Sequence, residues 1–175
     1  MLTLLLNATL AGAPGCTVED AVYALRSDTP VTARFHAVDT GPDWLAGVVM
    51  QIDVAASGRT YWWLPFGGGS SGVSYLASVS APLSADWSPP RAGDADARPL
   101  GDIPYWAFDA DYMFQEGYPI RGAPAPAHFF LPELGDALWY RQMENRDSAA
   151  RQFFDLVSCG PDGPQDNAPT EPPAE

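Results

Sequence analysis

Residues 47–66 read GVVMQIDVAASGRTYWWLPF and indicate the kind of fold to expect. In the first half of this stretch, apolar side chains occupy every second position, at Val48, Met50, Ile52 and Val54. Such alternation is typical of a β-strand, and the Ser57 and Gly58 that follow are typical of a tight turn. The second half, 59–66, is bulky at successive positions, which predicts a strand covered on both faces. The stretch therefore predicts two antiparallel strands joined by a short turn.

Other segments repeat this alternation. Residues 31–38 and 73–80 place apolar side chains at every second position, and 106–114 does the same with mostly aromatic ones. The short connections among the earlier segments favour antiparallel neighbours. Residues 81–104 contain five prolines and are expected to form a long loop. The strands should therefore follow one another as a β-meander.

Two regions that flank these strands have helical spacing. Thr17 is a favourable N-cap, and apolar residues follow it at Val18, Ala21, Val22 and Leu25. Near the other end, a helix is expected from about Glu133, and a last one over the apolar residues Ala149, Ala150, Phe153, Phe154 and Val157. The predicted class is α+β: an antiparallel meander of about five strands, with an N-terminal helix and one or two C-terminal helices packed on it. Residues 17–159 would form a single globular domain.

The charge is strongly unbalanced. Among 175 residues there are 22 acidic side chains and nine basic ones, all arginine, which gives a net charge of −13. Without lysine the chain cannot form a Schiff base or a Walker-type phosphate loop. The negative charge also argues against nucleic acid as a partner and favours a basic protein. No apolar run reaches the length of a membrane-spanning helix, and we expect no cofactor.

The two ends of the chain suggest export. Residues 1–16 resemble a signal peptide, although no basic residue precedes the apolar run, so an apolar N-terminal segment of the domain is the alternative. Cys16 and Cys159 are the only cysteines, and in an oxidising compartment they would form a disulfide; free thiols or lipidation of Cys16 are the alternatives. They cannot form a zinc site without neighbouring histidines, and no metal is expected. Residues 160–175 are expected to be a disordered, acidic, Pro-rich tail.

A glycine-rich loop carries one possible catalytic motif. Gly68-Gly69-Ser70-Ser71-Gly72 matches the G-x-S-x-G pattern of serine hydrolases. Ser70 would be the nucleophile, with Asp109 and His128 following in the order of that enzyme class. However, the nucleophile in that class leads into a helix, whereas residues 73–80 alternate like a strand. A flexible hairpin loop is therefore the competing interpretation.

Aromatic and acidic side chains provide candidate binding residues. Tyr61, Trp63 and Trp106 could stack on a sugar or peptide, although filling of the core is the competing role. Asp109 and Asp111 alternate on the predicted strand, so both carboxylates would point to one side, where a solvated polar surface is the simpler interpretation. Their spacing lacks the further ligands of an EF-hand calcium loop.

These observations favour a small, acidic, exported binding protein that recognises another protein, of the inhibitor, immunity or envelope-accessory type. The alanine- and arginine-rich composition is typical of a GC-rich bacterial genome, which makes the periplasm or the medium the expected location and the cytoplasm the alternative. The alternative function is a small serine hydrolase that uses Ser70. The two hypotheses differ in whether a serine-reactive phosphonate modifies the chain.

Overall fold

The computed structural model describes residues 16–27, 30–68, 72–91, 93–142 and 144–160. The predicted leader and the predicted tail therefore lie almost wholly outside the described residues. A short 3-10 turn at Val18–Asp20 leads into the first strand. The strands are β1 (Ala21–Leu25), β2 (Val31–Ala37), β3 (Val48–Val54), β4 (Arg59–Gly67), β5 (Ser74–Val79), β6 (Asp102–Phe108), β7 (Phe114–Gln115), β8 (His128–Phe130) and β9 (Phe153–Cys159). One helix, α1 (Leu134–Tyr140), lies between β8 and β9 among the described residues.

Eight of the strands form a closed antiparallel barrel. Strands β1 to β6 pair in sequence order, β6 then pairs with β8, β8 with β9, and β9 returns to pair with β1. The short strand β7 pairs with the end of β6 and stays outside the ring. Closure leaves no free edge on the eight barrel strands, which prevents pairing with strands of other chains.

Alternate side chains of these strands fill the interior of the barrel. Phe129 on β8 contacts Phe154 and Tyr23 with ring centroids 4.6 and 4.8 Å apart. It also meets Phe35, at 6.4 Å, although strand β2 is three strands away around the ring. The largest interior side chains are at most 2% exposed: Tyr23, Phe35, Met50, Ile52, Trp63, Ile103, Tyr105, Phe129 and Phe154. An eight-stranded barrel is just wide enough to be filled in this way.

The helix and the long loop cover further surfaces of the barrel. On α1, Leu134, Ala137 and Leu138 are buried in the same cluster as the barrel interior. A second apolar cluster lies outside β3, β4 and β5, where Leu64 packs with Trp44 and Trp87. The indole N–H of Trp44 donates to the carbonyl of Pro90, 2.7 Å away, which ties the Pro-rich loop to this cluster. Strand β4 is thus buried on both faces, as its sequence predicts.

The α+β class predicted from the sequence is wrong, because the protein is mostly β. The predicted N-terminal helix is only the 3-10 turn followed by strand β1. In β1, Tyr23 faces the interior and Val22, on the other side, is also buried. Both faces of the strand are therefore apolar, and its sequence lacks the alternation of apolar and polar residues that is typical of a strand. The predicted last helix is strand β9, which pairs with β1 and β8. Tertiary pairing has overridden a local helical spacing in both places.

The strand predicted over 106–114 is also corrected. The chain turns after β6 and returns as β7, so that Phe108 pairs with Phe114. Asp109 and Asp111 therefore lie in a hairpin turn and do not share one face of a strand. The predicted helix near Glu133 is present as α1.

The predicted disulfide is confirmed. Cys16 and Cys159 are bonded, with their Cα atoms 5.5 Å apart. Cys159 ends β9 opposite Ala21 of β1, so the bond lies beside the strand pair that closes the barrel. Disulfides of this kind are typical of an oxidising compartment. Across the described residues, no helix combines the length and the hydropathy needed to cross a membrane.

Candidate functional site

The outer surface of β6, β8 and β9 carries a continuous set of aromatic rings. It arises because the inward positions of these strands fill the barrel, so the alternate positions must point outward. Register then places Trp106 opposite Phe130, and Phe130 opposite Phe153. We call this surface the aromatic face, and it consists of Trp106, Phe108, Tyr112, Phe114, His128, Phe130 and Phe153.

Ring contacts connect the face from one end to the other. Trp106 and Phe130 have centroids 5.9 Å apart, and Phe130 lies 5.4 Å from Phe153. Phe153 continues the series to Phe108, at 5.2 Å, and Phe108 to Phe114, at 6.0 Å. Most pairs are tilted or edge-on, the arrangements that aromatic rings prefer. The rings therefore support one another as a single surface.

Much of this surface is open to solvent. The exposed fractions are 39% for Trp106, 43% for Tyr112 and 54% for Phe114. Met113 and Val157, beside the face, are 66% and 49% exposed. Large contiguous apolar surfaces on soluble proteins are often interaction sites. Aromatic residues and methionine are also the types enriched at protein interfaces.

A polar cluster borders the face where β9 meets β8. Asp155 accepts hydrogen bonds from Arg26, through Nε at 3.0 Å and Nη2 at 2.8 Å. The same carboxylate lies 2.7 Å from Nδ1 of His128. Partial burial acts to raise the pKa of Asp155, but the hydrogen bonds from Arg26 and His128 outweigh it and lower that pKa. Asp155 is therefore ionised at neutral pH and compensates the charge of Arg26.

The β6–β7 turn forms another border. Oδ1 of Asp109 accepts hydrogen bonds from the backbone N–H groups of Asp111 and Met113, both 2.9 Å long. Asp109 thus shapes the turn, while Asp111 and Glu116 are exposed beside the rings. Because Arg26 is compensated by Asp155, the charge left at this border is negative.

The structure separates the binding residues predicted from the sequence. Trp106 belongs to the aromatic face, and Asp109 and Asp111 border it. Trp63 is fully buried in the barrel, so it fills the core. Tyr61 also points inward, and its hydroxyl donates to Asp147 at 2.6 Å. The aromatic platform predicted from all three rings is therefore divided between the inside and the outside of the barrel.

Other members of the face were missed by the sequence analysis. Phe130 and Phe153 come from segments predicted to be a loop and a helix, and no sequence pattern singles out Asp155. The available signal was the alternation in 128–130, where His128 and Phe130 flank a core-forming Phe129.

The residues of the hydrolase hypothesis are not assembled within the described part of the chain. Ser70 lies outside the described residues. The carboxylate that contacts His128 is Asp155, whereas Asp109 accepts hydrogen bonds from backbone N–H groups of the β6–β7 turn. The glycine-rich loop leads into strand β5 instead of the helix that a nucleophile elbow requires.

The described residues contain no group of three or more side chains placed to hold a metal ion. No family model matches this chain, and it shows no significant similarity to any curated protein or solved structure.

Proposed function

We propose that this protein is an exported binding protein that recognises a basic protein through the aromatic face. The observation that carries the proposal is the continuous set of rings on the outer surface of the barrel, in which Trp106 is exposed and Phe130 and Phe153 are half-buried. Most of these rings sit on strands of the closed barrel, and a disulfide links the end of β9 to Cys16, which favours a surface that is ordered before a partner binds. Preorganisation of this kind reduces the entropy that binding must overcome.

The filled barrel supports an outer site over an inner one. Barrels of eight strands can hold a small ligand, but here Phe129 and Phe35 meet across the interior. Strand addition at a barrel edge is also closed to a partner, because each of the eight strands is paired on both sides. Outside the ring, β7 pairs only with β6 and offers an edge of two residues, so a partner is expected to dock mainly by side chains.

Charge supports a basic partner. The chain carries −13, and the exposed Asp111 and Glu116 border the rings. An arginine-rich surface can stack on Trp106 and Phe114 while it pairs with these carboxylates. An inhibitor or immunity protein that neutralises a basic toxin has this combination of properties, and the disulfide favours the periplasm or the medium as its location.

Affinity measurements on matched variants test the proposal. Proteins captured from the producing cells by the wild-type chain are identified, and their affinity is compared for the variant Trp106→Ala/Phe114→Ala and for the control Leu83→Ala/Tyr140→Ala. The control also removes two exposed side chains, but away from the face. We expect a basic protein whose binding weakens at least about 10-fold in the face variant and in high salt, and stays unchanged in the control.

Three outcomes would overturn this proposal. A partner that binds both variants equally would place the interface elsewhere. Self-association through the face, detected as a concentration-dependent mass, would replace the basic partner by a second copy. Capture that is indifferent to salt would remove the electrostatic component.

The serine hydrolase remains a second candidate because His128 has a carboxylate partner at 2.7 Å in Asp155. In this version Asp155 orients the imidazole, which would take the proton of a serine hydroxyl. A serine-reactive fluorophosphonate should then modify Ser70 in the wild type and leave His128→Ala unmodified. Absence of labelling in the wild type would remove this candidate.

A further inference from the structure

A second surface feature lies where strand β4 begins and strand β5 ends. It is a cleft of about 420 Å³, which is within the range of small-molecule sites. We call it the end cleft. The side chains that matter for its chemistry are Arg59, Thr60, Trp62, Ser80, Gln142 and Asn145. None of them belongs to the aromatic face.

One wall of the end cleft is held by a buried carboxylate. Asp147 is 6% exposed, and its Oδ2 accepts hydrogen bonds from Ser57 Oγ at 2.8 Å, Arg59 Nε at 2.7 Å and the Tyr61 hydroxyl at 2.6 Å. The hydrogen bond from Arg59 is the main cause that lowers the pKa of Asp147 to about 2. Asp147 is therefore ionised at neutral pH and compensates the guanidinium.

The same contacts fix the position of Arg59. Its Nη2 donates to the carbonyl of Arg146 at 3.0 Å, while Nε is held by Asp147. Tyr61 is a further hydrogen-bond partner of this guanidinium. A guanidinium that is oriented and charge-compensated offers directional hydrogen bonds without a net positive field.

The other polar groups of the end cleft are uncharged. Gln142 and Asn145 are amides, which both donate and accept, and Ser80 contributes an exposed hydroxyl. Trp62 adds a half-buried indole, which offers an apolar surface beside these groups. At the rim, Ala81 has a φ of 45°, a conformation that is uncommon outside glycine and is often found at functional sites.

We propose that the end cleft binds a neutral saccharide unit. A sugar ring presents C–H groups that pack on an indole and hydroxyls that both donate and accept, which matches Trp62, Gln142 and Asn145. An anionic ligand fits less well, because Asp147 compensates Arg59 and the whole chain carries −13.

Titration with defined trisaccharides tests this inference. The probes are chitotriose, cellotriose and maltotriose as neutral sugars, and trigalacturonate as the acidic control, followed by saturation-transfer NMR. We expect at least one neutral trisaccharide to bind with a Kd of order 0.1–1 mM, with trigalacturonate at least about 10-fold weaker. Because the aromatic face shares no residue with the end cleft, Trp106→Ala/Phe114→Ala should bind the sugar as the wild type does.

Variants assign the binding to the end cleft. The double variant Gln142→Ala/Asn145→Ala removes two amides near the surface, and we expect it to weaken binding at least about 10-fold while the fold persists. Trp62→Ala should weaken binding similarly, and Trp106→Ala, which removes an exposed tryptophan of the aromatic face, is the matched control. The proposal is overturned if no neutral trisaccharide binds at ~10 mM. Preference for trigalacturonate, or binding unchanged in the double variant, overturns it as well.

Discussion

The ring of Tyr112 lies flat on the imidazole of His128, with ring centroids 4.1 Å apart and planes inclined by 8°. Tyr112 belongs to the β6–β7 turn, whereas His128 begins β8, so the stack fastens the turn to the barrel. Arg26 adds a hydrogen bond to the Tyr112 hydroxyl at 2.5 Å. The backbone of Tyr112 has a φ of 61°, which is an unusual conformation for a bulky residue.

Replacing Tyr112 by glycine should loosen this turn without unfolding the protein. Glycine adopts the positive φ without strain, but it removes the stack and the hydrogen bond, together worth about 1–2 kcal/mol. We expect backbone NMR order parameters of residues 111–114 to fall from ~0.85 towards ~0.6. Tyr140→Gly, at another exposed tyrosine, should leave that segment unchanged. Unchanged order parameters in Tyr112→Gly would show that the stack does not hold the turn.

Asp147 should make the fold sensitive to acid. Its pKa in the folded protein is about 2, whereas an aspartate in an unfolded chain titrates near ~3.9. Its contribution, about 2 kcal/mol, is therefore complete above about pH 4 and is lost as the pH falls towards 2. We expect Asp147→Asn to lower the free energy of unfolding by about 2 kcal/mol at pH 7 and by less than about 1 kcal/mol at pH 2. Urea unfolding at both values measures this, and a difference that does not depend on pH would contradict it.

Loss of the disulfide should lower the free energy of unfolding more than loss of the Tyr112 or Asp147 contacts. The bond joins Cys16 to Cys159 across 143 positions, and the chain-entropy model assigns about 4–5 kcal/mol to a loop of this length. Denaturant unfolding of Cys16→Ser/Cys159→Ser should show a decrease of that order. Reductant should destabilise the wild type to the same extent and leave the double variant unaffected. Equal stability with and without the bond would mean that barrel closure by β1 and β9 suffices.

Trp63 and Trp106 are both candidate binding residues in the sequence, but their replacement by alanine should change stability to different extents. Trp63 is fully buried in the barrel, so Trp63→Ala should cost about 3–5 kcal/mol through loss of packing. Trp106 is 39% exposed on the aromatic face, so Trp106→Ala should change stability by less than about 1 kcal/mol. Thermal and urea unfolding of the two variants compares them directly. Similar losses of stability would show that Trp106 serves the fold instead of recognition.

The regularities that could be predicted from the sequence are local. The segments that became β2, β3 and β5 alternate because one face of each strand fills the barrel, and β4 is bulky throughout because both of its faces are covered. The pairing of Cys16 with Cys159 could be predicted because they are the only cysteines and flank the folded region. Strands β1 and β9 could not be predicted, because their partner is about 130 positions away in the chain. Val22 and Tyr23 are both buried on opposite faces of β1, and Phe153 and Phe154 are adjacent aromatic residues in β9. Neither segment therefore shows the apolar-polar alternation that would have argued against a helix.

The site was partly predictable for the same reason. Adjacent residues on a strand face opposite ways, so sequence alone shows that Trp62 and Trp63 are separated, but not which one is inside. That choice depends on register, and a shift of one residue would reverse it. The aromatic face also includes residues of β8 and β9, which lie near β6 because of the strand order of the barrel. No local pattern contains this information.

If a protein partner binds the aromatic face, the hydrogen-exchange footprint of the complex should lie on that face. Peptides covering β6, β7, β8 and β9 should exchange more slowly in the complex, with the largest effect in the β6–β7 turn around Met113. Peptides of β4 and the start of the Pro-rich loop should be unchanged. Suppose instead that only the peptides of β4 and the start of the Pro-rich loop are protected, and the β6–β7 turn exchanges as in the free protein. The partner would then not bind the aromatic face.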